Sequence, residues 1–418
     1  MLQRRNSVSA QGELDMTTMS SIRRKRRSVG LQNSLFVTVI AIEALCTSAW
    51  RAEAAPFVQT NLVSDITGLA TITDASLKNS WGSSHPAGGP FWISDQGTNL
   101  TNLWSVIGPT TVTKVTAVNP PTGNIAIPPG GTGAVGPTGQ VNNANPSSFL
   151  VGDGGNGGSA HFIFANLNGT ISAWDTGPTT FIQVTTPGAN YSGLAINQAQ
   201  TQLYAANQAG AGSINVFNSS FAPVSLGAGA FATPTAISAL GLVPFNVQDI
   251  AGEVYVTYAP SGLANQRAAV AGMGAVAVFT ESGTLQQTLV NGSQLAAPWG
   301  ITFAPAGFGQ FGGDLLVGNF SFLDSEINAF NPTTGEFKGT IPVDPGSTDT
   351  PGGLWSLQFG GGGTDGDRNT LYFTDGINGE NDGLFAAVSA VPEPMSLCVL
   401  ATGLLGIALV RRRRNTMG

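Results

Sequence analysis

Pro298-Trp299-Gly300-Ile301 is followed by Leu315-Leu316-Val317-Gly318-Asn319 and then by Ile327-Asn328-Ala329-Phe330. Short runs rich in aromatic and branched side chains, separated by Gly, Asn and Pro, read as strands joined by tight turns. The same succession recurs along the chain. Ser80-Trp81-Gly82, Pro137-Thr138-Gly139, Tyr191-Ser192-Gly193-Leu194, Pro244-Phe245-Asn246-Val247 and Gly352-Gly353-Leu354 align with the first of these runs on one small residue. Those residues stand at 82, 139, 193, 246, 300 and 353, so the intervals are 57, 54, 53, 54 and 53. Five are glycine and one is asparagine, the types that best accept close backbone approach or positive φ.

Each unit then carries a second run: Phe91 to Asp95, Phe162 to Asn166, Leu203 to Asn207, Val254 to Tyr258, Leu315 to Asn319 and Leu371 to Asp375. Third runs follow at Ile171 to Trp174, Ile214 to Phe217, Val276 to Phe279 and Ile327 to Phe330, and fourth runs such as Phe181 to Val184 close most units. Sustained helical periodicity is missing from the body. Four strands repeated six times, radially, predict an all-β six-bladed β-propeller over residues 55–390, an architecture that leaves only short, protected edges. The last unit stops at its third run, Leu384 to Val388, so Phe57 to Val63 is expected to supply the N-terminal strand that closes the last blade. A right-handed β-helix would need coils much shorter than this period. The Pro, Gly and Asn-rich stretch Asn119 to Asn145 is expected to be a surface loop inserted before the second repeat.

Glycine and proline number 56 and 24 of 418 residues, below the level of low-complexity chains, whereas charged residues are only 10%. Between Ala55 and Val391 lie five basic residues (Lys78, Lys114, Arg267, Lys338 and Arg368) against 19 Asp and Glu. A body near −14 repels phosphate backbones, which excludes nucleic acid as a partner. Both cysteines, Cys46 and Cys398, sit in the apolar end segments. The body therefore lacks thiol chemistry, disulfides and cysteine-based zinc sites.

The two ends read as addresses. Residues 1–54 are a signal peptide region: Arg23-Arg24-Lys25-Arg26-Arg27, a short apolar segment from Leu35 to Ile42, and the small-residue site Ala52-Glu53-Ala54. A signal helix is expected there. At the other end, residues 391–414 hold Pro392-Glu393-Pro394, an apolar segment Met395 to Val410 expected to be a transmembrane helix, and the cluster Arg411, Arg412, Arg413 and Arg414. Arginines beyond the span place that end in the cytoplasm and the body outside.

Pro-Glu-Pro, apolar helix and arginine cluster, in that order, resemble the PEP-CTERM sorting signal of Gram-negative bacteria. That resemblance implies an exosortase, a membrane transpeptidase, as a transient partner, and export of the protein to the cell surface or extracellular matrix, often alongside exopolysaccharide. The Pro-x-Gly-hydrophobic pattern of the repeats is similar to that of NHL-type propellers, and the whole chain resembles an uncharacterised family of PEP-CTERM-bearing bacterial propellers. The resemblance implies no activity.

In a propeller blade the first strand starts and the second ends on one face. Asp95, Asn166, Asn207, Asn319 and Asp375 then form a candidate polar ring at the channel mouth, with Trp81 and Trp299 beside it as flat faces for a neutral hydroxylated ligand. The competing reading is that Asx residues at strand ends cap turns. His85 and His161 lie in different repeats without motif context, and no Walker loop, zincin helix or dinucleotide fingerprint is present. Asp365-Gly366-Asp367-Arg368-Asn369 opens like a calcium loop, but Thr370 and Gly376 replace the glycine and glutamate of an EF-hand. A looser Ca2+ site on Asp365, Asp367 and Asn369 is the one cofactor the residues allow. The function read from these features is a non-enzymatic surface module linked to exopolysaccharide; the alternative is a metal-assisted hydrolase or lactonase with its site in the channel mouth.

Overall fold

Residues opposite each other across the first two strands of every repeat fall in one register. Ser80 faces Asp95, Pro137 faces Asn166, Tyr191 faces Asn207, Pro244 faces Tyr258, Pro298 faces Asn319 and Leu354 faces Asp375. Just after each of these pairs the register shifts by a bulge, in all six sheets. A bulge bends and twists its strand. At that bend the innermost strands crowd together: a Cβ on Gly82 would collide with Thr138 O, and one on Gly300 with Trp355 O. Only glycine or a residue with room beside it fits there.

The chain is a six-bladed β-propeller in this computed structural model, which describes residues 57–391 apart from 117–121, 132, 153–154 and 344–351. From the innermost strand outward, blade 3 is Tyr191–Ile196, Gln202–Asn207, Ser213–Asn218 and Pro223–Val224. Blades 2, 4 and 5 repeat this four-stranded order, with innermost strands Pro137–Asn142, Leu242–Ile250 and Pro298–Phe303. Blade 6 is completed by the N-terminal strand Phe57–Ser64, which pairs antiparallel with Leu384–Ala390 from Phe57 opposite Ala390 to Ser64 opposite Leu384.

Three details differ from the sequence reading. Two sheets gain a fifth strand: Ile72–Thr73 adds beyond the N-terminal strand in blade 6, and Asn124–Ala126 pairs with Leu100–Ile107 in blade 1. The stretch 119–145 is therefore not simply an inserted loop, for it also contains the innermost strand of blade 2. In the last repeat the residue equivalent to Gly82 and Gly300 is Ser356, because Leu354, two positions earlier, faces Asp375. Alignment on Gly353 was three residues early. The signal segment and the C-terminal apolar segment lie outside the described residues, among which no helix is long and apolar enough to cross a membrane.

Both faces of a blade are covered by its neighbours, so each strand reads as a nearly continuous apolar run rather than an alternating one. Between blades 4 and 5, for instance, Tyr255, Val276 and Leu289 meet Ile301, Leu315 and Phe330. Each of the other seams has a comparable cluster, and a further one fills the axis.

Candidate functional site

The residue after each register-setting pair points toward the axis: Trp81, Thr138, Ser192, Phe245, Trp299 and Trp355, one per blade. Five rings converge, Phe245 and Phe320 among them. Trp81 and Trp355 lie 3.8 Å apart between ring centroids, Trp355 stacks on Phe320 at 4.2 Å, and Trp299 meets Trp355 edge-on at 5.7 Å. The two hydroxyls tie the smaller positions across to the next blade, Thr138 Oγ1 donating to Tyr191 O at 2.8 Å and Ser192 Oγ to Phe245 O at 2.7 Å.

A cap closes the same end. The short helix Leu263–Arg267 follows the second strand of blade 4, and its Gln266 donates to Gln208 Oε1 of blade 3 at 2.6 Å. Arg267 O accepts from Phe322 N of blade 5, while the Arg267 guanidinium lies over the Phe322 ring. Arg267 Nε donates to Glu380 Oε2 of blade 6 at 2.7 Å. Four blades are thereby joined across the mouth.

The open mouth expected from sequence is thus closed. Trp81 and Trp299 are 3% and 4% exposed, so neither offers a flat face to a ligand. The five Asx residues do occupy equivalent second-strand ends, but four of their side chains turn to local partners. Asn319 Oδ1 accepts from Ala296 N at 3.0 Å, and its amide donates to Gln294 O at 2.9 Å. Half-buried Asn207 accepts from Asn190 N and Ala209 N. Buried Asn166 reaches Thr170 O and Ser172 Oγ, and buried Asp95 accepts from Ser80 Oγ at 3.2 Å. Asp375 Oδ1 has no hydrogen-bond partner among the described residues. Burial, with the charge of Glu380 behind it, raises its carboxyl to about 8, and burial also holds Asp95 well above the ordinary carboxylate range. Asp375 is thereby stored as a neutral acid at or below neutral pH.

Of the three candidate calcium ligands, Asp365 and Asp367 are engaged locally. Asp365 is fully buried and its oxygens accept from Gly88 N at 3.0 Å and Gly363 N at 2.8 Å, with His85 Nδ1 at 3.2 Å. Asp367 Oδ1 caps its own turn by accepting from Asn369 N. No group of three His, Cys, Asp or Glu among the described residues could hold a metal ion.

An accessible cleft lies elsewhere, on blade 2. It encloses about 400 Å³ and is lined by Asn143, Asn145, Asn156, Ser159, His161 and Asp175 among others. That volume falls within the usual range of small-molecule sites. The cleft is built on a braced loop: Asn143 donates to Ala160 O and accepts from Asn145 N, and Ser159 Oγ lies within donating distance of both Asn145 O and Ser148 O, which share its one proton. The Ser159 hydroxyl is committed to this bracing. Asp175 accepts from Asn156 N at 3.0 Å and Thr176 N at 2.8 Å, which hold its carboxylate at the wall of the cleft. His161 is exposed, its ring 6.0 Å from that of Trp174. Amides, an imidazole and a carboxylate around an open cleft suit hydroxyl groups that both donate and accept. Sequence reading passed over this site; the amide run Asn142-Asn143-Ala144-Asn145 was its visible signal.

No protein-family model matches the chain. An uncharacterised protein of Acanthamoeba polyphaga mimivirus is 27% identical over 340 residues, 78% of this chain and 78% of that protein. A second uncharacterised protein of the same virus is 27% identical over 207 residues, 47% of this chain and 37% of its own length. Among solved structures, hydrazine synthase of Kuenenia stuttgartiensis aligns with a TM-score of 0.40 and 14% identity over 74% of this chain and 76% of that one. A structural-genomics protein of unknown function from Bacteroides thetaiotaomicron VPI-5482 aligns with a TM-score of 0.46 and 10% identity over 80% and 76%. None of these likenesses carries a function to this chain. What stands is the architecture, a six-bladed β-propeller closed by its own N-terminal strand.

Proposed function

We propose that the chain is an exported cell-surface or extracellular-matrix propeller, trimmed at both ends, that acts as a non-enzymatic binding or structural module alongside exopolysaccharide. The observation that carries this reading is where the compact unit begins and ends. It runs from Phe57 to Val391, starting just after Ala52-Glu53-Ala54 and stopping just before Pro392-Glu393-Pro394. Cleavage at both addresses would leave every strand of the closed ring in place. In this reading an exosortase takes Pro392, Glu393 and Pro394 with the following apolar segment and Arg411 to Arg414 as its signal. The ligand surface is the blade 2 cleft, whose amides, His161 and Asp175 recognise a neutral sugar. The Asx ring with Trp81 and Trp299 would join in only if the Leu263–Arg267 cap lifted.

Surface protein from a host carrying an exosortase should begin near Ala55 and end near Pro392 to Pro394 by mass spectrometry, and a strain without the enzyme should keep the arginine tail. An intact tail in both strains would overturn the trimming. On a glycan array, His161→Ala and Asp175→Asn should weaken exopolysaccharide binding while Trp81→Phe leaves it unchanged. The reverse pattern would move the site to the axis.

A further inference from the structure

Beside the aromatic plug the axis holds a cavity of about 20 Å³, lined by Gln140, Asn246, Gln358, Ser83 and Ser356 and by further innermost-strand residues that include Gln248 and the apolar Leu194 and Leu357. Three of these amides come from alternate blades, 2, 4 and 6, and so approach the axis from three sides. Their nitrogens are committed. Gln140 Nε2 donates to Gly82 O at 2.9 Å and to Trp92 O at 2.5 Å, Asn246 Nδ2 donates to Trp299 O at 2.9 Å, and Gln358 Nε2 donates to Ser83 O. Because a carbonyl can only accept, these bonds set the orientation of each amide. Gln140 Oε1, Asn246 Oδ1 and Gln358 Oε1 are left buried and without a hydrogen-bond partner among the described residues. The neighbouring hydroxyls do not relieve them, for Ser83 Oγ and Ser356 Oγ bond to each other at 2.7 Å and Ser356 Oγ bonds on to Thr374 Oγ1 at 2.9 Å.

Three buried acceptors on residues that line one small space call for donors. A single water requires roughly 10–15 Å³ on this scale, so the cavity has room for about one. One water has two O–H groups and cannot serve three acceptors. A cation can take lone pairs from all three at once. The donors are neutral amides and no carboxylate lines the cavity, so a divalent ion would keep most of its charge uncompensated in a buried place. Carbonyl-type oxygens are suited instead to replacing the hydration shell of a monovalent ion. We infer that the waist of the axis binds one dehydrated alkali cation, Na+ or K+, through Gln140 Oε1, Asn246 Oδ1 and Gln358 Oε1. Such an ion links three alternate blades through their innermost strands.

The full chain, dialysed against Rb+ as the probe, should retain one ion per chain by mass spectrometry of the metal. Gln358→Met should lose that ion, whereas Gln248→Met, which alters the same wall without removing an unpartnered oxygen, should keep it. The thermal midpoint should be a few degrees higher in Na+ or K+ than in N-methylglucamine at equal ionic strength, and the difference should vanish in Gln358→Met. Absence of retained Rb+, with equal midpoints in all three salts, overturns the site in favour of ordered water. Rb+ retained equally by wild type and Gln358→Met lies elsewhere and overturns it as well. Should Gln358→Met fail to fold, Gln358→Glu decides: its carboxylate should turn retention from Rb+ toward Ca2+, and unchanged Rb+ retention overturns the assignment.

Discussion

The seam between blades 4 and 5 and the seam between blades 6 and 1 do the same geometric task with different chemistry. Between blades 4 and 5 the contact is chiefly apolar, with Leu315, Val317 and Phe330 fully buried against Tyr255, Val276 and Val278. Between blades 6 and 1 an apolar layer is also present, but it is overlaid with polar bonds. Asp365 holds Gly88 N and His85 across the seam, Val106 N donates to Thr364 O at 2.8 Å, and Gly366 N donates back to Val106 O at 2.9 Å. Tyr372 OH donates to Gly108 O at 3.1 Å, while Lys78 pairs with Asp65 at 2.6 Å and with Asp382 at 3.2 Å.

The difference follows from connectivity. Blades 4 and 5 are consecutive in the chain, so their meeting closes only a short loop. Blades 6 and 1 are at opposite ends, and closing a loop of that length costs on the order of 5 kcal/mol in chain entropy. Directional bonds at the closing seam offset that cost and fix its register.

The largest expected effect comes from removing residues 57–64, which strips the closing strand from blade 6 and opens the clusters on both sides of it. Calorimetry should then show no cooperative transition. Deleting Pro223–Val224, the outermost strand of blade 3, should only lower the midpoint by a few degrees; equal damage from both would refute the special status of the closing seam.

Next, Leu315→Ala in the apolar seam should cost about 2–5 kcal/mol by urea unfolding, since it leaves a cavity among packed side chains. Asp365→Ala at the closing seam should cost a smaller amount, about 1–3 kcal/mol, by taking the shared acceptor away from Gly88 N and Gly363 N. If the seams differ as described, Asp365→Asn should recover part of the loss, whereas Leu315→Val should do so only through volume.

Asp375 makes the comparison depend on pH. Its carboxyl is raised to about 8, so the folded chain keeps a proton that the unfolded chain releases between about pH 4 and 8. Stability from this group is therefore highest below pH 4 and falls as pH rises through that window. Asp375→Asn should be relatively more stable at pH 8.5 than at pH 5, by on the order of 1–3 kcal/mol against wild type. A pH-independent difference would remove Asp375 as the cause. The smallest effect is expected from Lys338→Met, because its ammonium and the Glu336 carboxylate that it meets are both exposed. Screening by water leaves about 0.2–1 kcal/mol, shrinking further in high salt.

The strand content, the six units and the closing role of Phe57 to Val63 were legible in the sequence. Each strand is announced by its own apolar run, and a period near 54 residues survives variation within any one unit. The equivalent second-strand ends were legible too, because Asx or Tyr closes each run. The sixth repeat was misaligned by three residues because glycines at 352 and 353 imitate a bulge that is built at Ser356. That slip hid Trp355, the ring on which Trp81 and Trp299 both pack.

What the amino-acid sequence determined by itself is local: which residues are strands, how often they repeat, where the acidic body lies between two basic ends. What only the tertiary structure decided is what each side chain faces. A tryptophan at the start of an innermost strand can border an open channel or plug it, and the outcome depends on the residues that five other blades bring to the same axis. The same holds for the blade 2 cleft and for the three amide oxygens at the waist. Their partners are far apart in sequence, and hydrogen-bond geometry over a few ångströms has no periodic trace in the order of residues.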